Sequence, residues 1–378
     1  MKFVIAPDKF KGSLTGFEFC DAVEEGLRKV FEDAEILKMP LADGGDGTME
    51  VVRHYIRGER ETITVHDPLF RPIKAAYLYS EKSKIAYIEM AEASGLKLLK
   101  EEERNCMHTT SLGTGELMAD ALQKGAEEII LGIGGSATND GGMGMAKALG
   151  YRFLDSSNEE LQPVGSNLMK VQKIDALNIH PKLKEVKVKV ACDVTNPLYG
   201  TNGAAHVYAE QKGATGEDIT FLDKGLRNFA KIILQHYKID LQQVAGAGAA
   251  GGMGAGALFF LGAQLTSGID LIKEVAHFDT RIEGADWIIT GEGKLDEQTL
   301  SGKTIAGVVV AAMEKNIPVA ALCGSVHITI EQQQQFGLRY VSSIVRGVSD
   351  LQEAIAKSYD NLVIATYNFA LMLHDNHS

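Results

Sequence analysis

Between an apolar strand, Trp287-Ile288-Ile289, and an apolar helical run, Ile305 to Met313, lies Thr290-Gly-Glu-Gly-Lys-Leu-Asp-Glu-Gln-Thr-Leu-Ser-Gly-Lys-Thr304, where glycines are interleaved with carboxylates and lysines. Residues of this kind handle phosphate. Gly302, Lys303 and Thr304 fall at the helix start, where unpaired N–H groups and the helix dipole favour an anion. Lys294 and Lys303 can bring positive charge to a phosphate, while Glu292 and Asp296 are candidates for metal or substrate contacts. The stretch is not the common phosphate loop G-x-x-x-x-G-K-[ST], which, ending at Thr304, would need glycine in place of Glu297. A plain strand-to-helix connection with turn glycines is the competing explanation.

Other segments carry related chemistry. Asp8-Lys9-Phe10-Lys11-Gly12-Ser13 lies at the carboxyl end of the first strand, where open α/β sheets hold ligands. Lys11 and Ser13 are its best anion contacts, with a structural cap at Ser13 as the alternative. Asp43-Gly-Gly-Asp46-Gly47 sets two carboxylates on a loop whose glycines admit a ligand to the backbone, and oxygen ligands suit Mg²⁺. An N-cap at Asp46 would explain the same pattern.

Gly132-Ile-Gly-Gly-Ser-Ala-Thr-Asn-Asp-Gly-Gly142 follows a strand and offers Gly135, Ser136, Thr138, Asn139 and Asp140, whose hydroxyls, amide and backbone N–H groups could cradle phosphates. Asp193-Val-Thr-Asn-Pro-Leu198 comes directly off a strand ending at Ala191, which places Asp193 as a catalytic carboxylate at a strand tip. A turn at Asn196-Pro197 competes for its neighbours. Gly246-Ala-Gly-Ala-Ala-Gly251 matches G-x-G-x-x-G, yet no convincing strand precedes it, and a tightly packed helix entry explains it better than a dinucleotide. The histidines form no zinc-type set, and no G-x-S-x-G elbow is present.

The elements that must position these loops are legible from periodicity. Phe3-Val4-Ile5-Ala6 is a strand, and Phe19, Val23, Leu27 and Val30 recur at helical spacing after a Thr15…Glu18 capping pattern. Ile36 to Met39 is a second strand, and a helix follows from about Thr48 to Ile56. Two such βα units in a row imply a parallel sheet. From Thr62, three extended segments (62–65, 73–79, 85–90) joined by short turns predict antiparallel strands. The middle alternates helices at 116–124 and 219–237 with strands at 129–133 and 186–191. After Asp286 the βα alternation returns with strands at 287–289, 319–322 and 340–344 and a long final helix. The expected fold class is α/β: a doubly wound parallel-sheet domain from residues 1–62 and 284–378, with a second, partly antiparallel α/β domain inserted at 63–283. Gly141-Gly-Met-Gly144 and Gly251-Gly-Met-Gly254 are a short internal echo, read as two similar helix-entry turns.

Bulk properties set the limits. A chain of 378 residues, 45% hydrophobic and 23% charged, with 40 glycines and 8 prolines, is globular and rich in tight turns. A formal charge of −12 argues against nucleic acid or an anionic membrane as the main partner. Cys20, Cys106, Cys192 and Cys323 are too dispersed for a metal or redox pair, and no leader or long apolar span is evident, which points to the cytoplasm. Monomer and homodimer both stay open.

Taken in order, Ala6-Pro-Asp-Lys-Phe-Lys-Gly-Ser-Leu14, Pro40-Leu-Ala-Asp-Gly-Gly-Asp-Gly-Thr48, the Gly132–Gly142 loop, Ala191-Cys-Asp-Val-Thr-Asn-Pro-Leu198 and Thr290-Gly-Glu-Gly293 resemble the bacterial type 1 glycerate kinases over essentially the whole chain. The resemblance implies ATP-dependent phosphorylation of D-glycerate, most often to 2-phosphoglycerate, by a Rossmann-like domain with a second α/β domain inserted. The family commonly has Ser where Lys9 stands and often Glu where Asp46 stands. On this basis glycerate is expected in an interdomain cleft, with Lys11 and Asp193 as catalytic residues and Asp8, Ser13, Asp43, Asn196 and Glu292 on the substrate. ATP is expected at Gly135, Ser136, Thr138, Asn139, Lys294 and Lys303, and Mg²⁺ at Asp46 and Asp296. A glycerate 3-kinase or another hydroxy-acid kinase is the near alternative. A nicotinamide-dependent oxidoreductase and a non-catalytic sugar-acid sensor are distant ones.

Overall fold

The structure, a computed structural model, describes residues 1–44, 47–300 and 303–375, with only the backbone of Gln298 and Leu300. The chain divides into two compact units, Met1–Val51 with Ile269–Ser378, and Val52–Gly268. The strand Glu59–His66 pairs along its whole length with Pro72–Ser80, which sets the first junction upstream of residue 62. Ile269 lies in the first unit, where a Cβ added to Gly307 would come within 2.6 Å of its side chain, so the return junction falls upstream of 284.

The first unit is built on a five-stranded sheet in the order Leu338–Ser343, Val319–Cys323, Trp287–Thr290, Lys2–Ile5, Glu35–Lys38. Every pairing is parallel. Phe3, Val4, Ile5, Ile288, Ile289, Ala320 and Leu322 are completely buried, as near-continuous apolar strands covered on both faces must be. Chain progression reverses between Lys2–Ile5 and Trp287–Thr290, and open α/β sheets bind ligands outside the strand ends at such a reversal. The helix Gly16–Arg28 begins with the expected capping box: Glu18 N–H donates to the Thr15 hydroxyl at 3.1 Å, and Thr15 N–H donates to the Glu18 carboxylate at 2.8 Å. Trp287, the single tryptophan, packs edge-on against Phe369 of the last helix, Ser358–Asp375, with ring centroids 5.1 Å apart.

The second unit carries a six-stranded sheet in the order Gln264–Thr266, Lys187–Ala191, Glu128–Gly132, Ile85–Glu89, Pro72–Ser80, Glu59–His66. The first four run parallel and the last two pairings are antiparallel, so the antiparallel reading applies to one side of the sheet only. The echoed glycine turns meet each other here. Gly141 N–H donates to the Gly251 carbonyl at 3.1 Å, and a Cβ on Gly256 would lie 2.5 Å from the Gly141 carbonyl oxygen. Two helix starts, at Met143–Ala148 and Ala249–Leu261, can approach this closely only without side chains. Among the described residues no helix is long and apolar enough to cross a membrane.

Candidate functional site

In the first unit the three neighbouring strands at the reversal point release their loops on one edge. Thr290 donates its hydroxyl to the Ala6 carbonyl at 2.7 Å, and Asp8 N–H donates to the Gly291 carbonyl at 2.9 Å, so the two tips are stitched together. Leu41 N–H donates to the Pro7 carbonyl at 2.9 Å and brings the third loop alongside. The result is a cavity of about 580 Å³ lined by Asp8, Asp43, Glu292, Asp296, Lys9, Lys11, Lys294 and Lys303, with Gly293, Ser325 and Leu351. Seven of the residues singled out as chemically capable, Asp8, Lys11, Asp43, Glu292, Lys294, Asp296 and Lys303, are therefore gathered in one place, with Lys9 beside them.

Their electrostatics are uneven. Asp8 accepts from the Thr304 hydroxyl at 2.6 Å and from the Lys9 N–H at 2.7 Å. Burial nevertheless holds its carboxyl above the usual range, and Asp43 adds to the rise. Glu292 takes a hydrogen bond from the Thr299 hydroxyl. Burial pushes its carboxyl up to about 7; the Thr299 bond and Lys303 oppose the rise, while Asp8 and Asp296 reinforce it. Lys294 Nζ sits 2.8 Å from the Asp296 carboxylate, and Lys11 is exposed. The connection bearing Glu292 is not a bare loop: Lys294–Leu295 pairs with Ser325–Val326, and a short helix, Glu297–Leu300, precedes the helix Thr304–Glu314. Lys303 is the N-cap residue of that longer helix, as the pattern predicted.

Two expectations in this unit need revision or fall elsewhere. Ser13 does not open the first helix; Thr15 does, and its capping box takes up the Glu18 N–H and sets the Glu18 carboxylate where an anion would approach. Ser13 instead donates to the Ser358 hydroxyl at 2.6 Å, which donates to the Ile355 carbonyl at 2.8 Å. Asp46, the expected metal ligand, lies outside the described residues.

In the second unit the loops after Glu128–Gly132 and Lys187–Ala191 also leave from parallel strand ends. Gly134 and Gly135 are exposed, but Ser136, Thr138, Asn139 and Asp140 are buried. Asp140 accepts from Ser111 N–H and hydroxyl, both at 2.8 Å, and from Gly142 and Gly144 N–H, both at 3.1 Å. Burial still pushes its carboxyl upward. Lys212, which nothing in its local sequence distinguishes from a turn lysine, is 3% exposed and donates to the Ser136 hydroxyl at 2.7 Å and the Thr138 carbonyl at 2.8 Å. The Ser136 and Thr138 side chains are thus not displayed to solvent as the loop composition predicts.

Asp193 is exposed and accepts from Gly268 N–H at 2.9 Å. Asn196 is engaged internally: its amide donates to the Asn202 carbonyl at 2.9 Å and accepts from the Tyr208 hydroxyl at 2.6 Å. The Gly246–Gly251 segment is packed by the chain itself. A Cβ on Gly248 would lie 2.2 Å from the Pro197 carbonyl oxygen, and one on Gly251 2.0 Å from that of Thr138. The faces a dinucleotide would approach are occupied by backbone.

Among the described residues no three His, Cys, Asp or Glu side chains form a ready-made metal cage. The first-unit cavity does offer hard carboxylate oxygens, and Mg²⁺ is commonly bound by one or two of these plus substrate phosphates. The donor set therefore fits Mg²⁺ arriving with a nucleotide.

Against known proteins, the profile of the Glycerate kinase family matches residues 3–374. A glycerate kinase of Halalkalibacterium halodurans is 44% identical over 375 residues, 99% of each chain. A glycerate 2-kinase of Escherichia coli is 42% identical over 373 residues, 99% of this chain and 98% of its own. A crystal structure from Salmonella typhimurium LT2 that carries the designation glycerate kinase 2 superposes with a TM-score of 0.90 at 41% identity, over 100% of this chain and 99% of that one.

Proposed function

The chain belongs to the glycerate kinase family and is a kinase, and from that premise we propose that it transfers the γ-phosphoryl group of ATP to D-glycerate, with 2-phosphoglycerate as product. The observation that carries this is the first-unit cavity, which sets lysines beside carboxylates at the strand reversal of a sheet we read as doubly wound and Rossmann-like. A small hydroxy acid and a phosphate chain both need that mixture: lysine for the oxyanions, carboxylate for hydroxyls and metal.

In this scheme the glycerate carboxylate is held by Lys11, and Asp8, Asp43 and Glu292 contact its hydroxyls. Lys294 and Lys303 offset phosphate charge. Asp296 and Asp43, with Asp46, would hold Mg²⁺, which when bound neutralises charge on the phosphate oxygens. The glycine loop at Gly135 receives the nucleotide, and Asp193, at a strand tip and exposed, accepts the proton of the attacking hydroxyl. The hydroxyl oxygen bonds to the γ-phosphorus, its proton passes to Asp193, and the bond to the β–γ bridging oxygen breaks with its electron pair left on ADP. A loose transition state of this type needs mainly positioning and charge neutralisation. Ser13 is left out because its hydroxyl is committed to Ser358.

Incubation with ATP, Mg²⁺ and D-glycerate, followed by phosphorus NMR, tests the proposal. The expected product is 2-phosphoglycerate. A 3-phosphoglycerate signal overturns the position of transfer, and ATP left intact overturns the substrate.

A further inference from the structure

We propose that the second unit contains an anion site built on Lys212, where the buried ammonium receives the phosphate chain of the nucleotide beside the exposed Gly134–Gly135 turn. The proposal rests on the kinase reading and adds to Lys294 and Lys303 a buried lysine of the second unit that meets the phosphates.

Lys212 ends a short turn, Glu210–Lys212, and its two acceptors among the described residues, the Ser136 hydroxyl and the Thr138 carbonyl, are both neutral. An ammonium has three donors, so one remains. The acidic groups facing it are the Asp140 carboxyl and the Cys106 thiol. Asp140 is already shared among four donors from Ser111, Gly142 and Gly144. Cys106 donates to the Ala209 carbonyl, and burial pushes its thiol up to about 11, so it carries no charge near neutral pH. Among the described residues Lys212 makes no ion pair. A buried cation without a contacting counter-charge is costly, and a protein relieves that cost by deprotonation or by an incoming anion.

The rest of the loop points to the anion. The Thr138 hydroxyl and both polar atoms of the Asn139 amide are fully buried and meet no hydrogen-bond partner among the described residues. Three unused polar atoms on adjacent residues are exceptional in a native fold, and they mark a place where the fold itself does not complete the hydrogen bonding. Two residues before Ser136 the surface opens: among the described residues a Cβ on Gly134 would meet nothing within 4 Å, and Gly135 holds φ at +70°, a backbone that lets N–H groups converge on an oxyanion. The segment also lies at the carboxyl end of a parallel strand, Glu128–Gly132. Burial lowers the Lys212 amine to about 8, so its charge is lost just above neutral pH unless an anion holds it.

Calorimetric titration of the full chain with ADP, with inorganic phosphate and with D-glycerate tests the site. Lys212→Met should weaken ADP at least about tenfold, abolish phosphate binding and leave D-glycerate within about twofold, with a cooperative melt. ADP affinity equal to that of the wild type overturns the proposal. Loss of D-glycerate affinity with ADP unchanged assigns the anion site to the substrate and overturns it equally. If Lys212→Met does not fold, the wild-type chain decides alone: ADP affinity should fall by about tenfold per pH unit above pH ~8, as the loss of one linked proton requires. A flat series up to pH ~9.5 is incompatible with the site. A wild-type chain that neither binds ADP nor makes phosphoglycerate contradicts the kinase reading itself, an outcome distinct from failure at Lys212.

Discussion

The two units use the same device, loops leaving the carboxyl ends of parallel strands, and treat their polar groups in opposite ways. In the first unit, lysines and carboxylates face a cavity of about 580 Å³, and several side chains remain half-exposed or exposed. In the second, Ser136, Thr138, Asn139, Asp140 and Lys212 are withdrawn into the interior, leaving Gly134 and Gly135 outside. A solvated mixture of charges can adjust to a small hydroxy acid. A buried set is fixed before any ligand arrives and suits a group that never varies, such as a phosphate chain. Asp193 of the second unit is exposed, in keeping with the proton-accepting role proposed for it.

If that contrast is right, substitutions in the two units should separate by kinetic constant. The largest effect belongs to Asp193→Asn, which should lower kcat by about two to four powers of ten while KM for glycerate changes far less; near-normal turnover would break the division of labour. Next comes Lys11→Met, expected to raise KM for glycerate about ten- to a hundredfold, the value of a lost charge-assisted contact, with little change in kcat. An unchanged KM would remove the first unit from substrate binding.

Glu292 gives a pH test of the cavity. Its carboxyl is pushed up to about 7, so it becomes protonated as pH falls through that value, and kcat/KM should fall with it if the ionised form contacts substrate. Glu292→Gln should lose that limb. The same shift has a stability sign. Because the folded-state value lies above the ordinary one, the stabilisation is present in acid and is lost as pH rises from the ordinary carboxylate range through about 7. Thermal melts of Glu292→Gln should therefore gain on the wild type between pH ~5 and pH ~8, by about 2–4 °C for each kcal/mol. An offset that stays constant with pH would show the carboxyl to be solvated. The smallest effect is that of Thr15→Ala, expected to cost about 1 kcal/mol through the lost cap and leave the kinetic constants untouched, since the Glu18 carboxylate of the capping box makes this helix start unfavourable to an anion.

How much was legible depended on whether a signal was local. Thr15…Glu18 announced its helix because a capping box is written within four residues. The strands at 3–6 and 287–289 announced themselves as apolar runs, and their loops then had to share an edge once the sheet was parallel. Hence Asp8, Asp43 and Glu292 could be grouped from sequence. What escaped depended on partners far along the chain. Ser13 read as an anion contact because its bond to Ser358 spans 345 positions. Lys212 drew no attention in the sequence because its acceptors lie 76 and 74 positions away. The helix Ile330–Phe336 escaped for a different reason: its glutamines give no apolar stripe, although its Thr329–Gln332 cap was there to be found.

The edge-on packing of Trp287 against Phe369 has a practical consequence. With the sole indole of the molecule placed in one of two separately built cores, selective excitation of that ring reports the melting of the split N- and C-terminal unit and is blind to the inserted one. A fluorescence transition that runs ahead of or behind the circular dichroism transition would then measure, with no label added, how independently the two halves of the enzyme come apart.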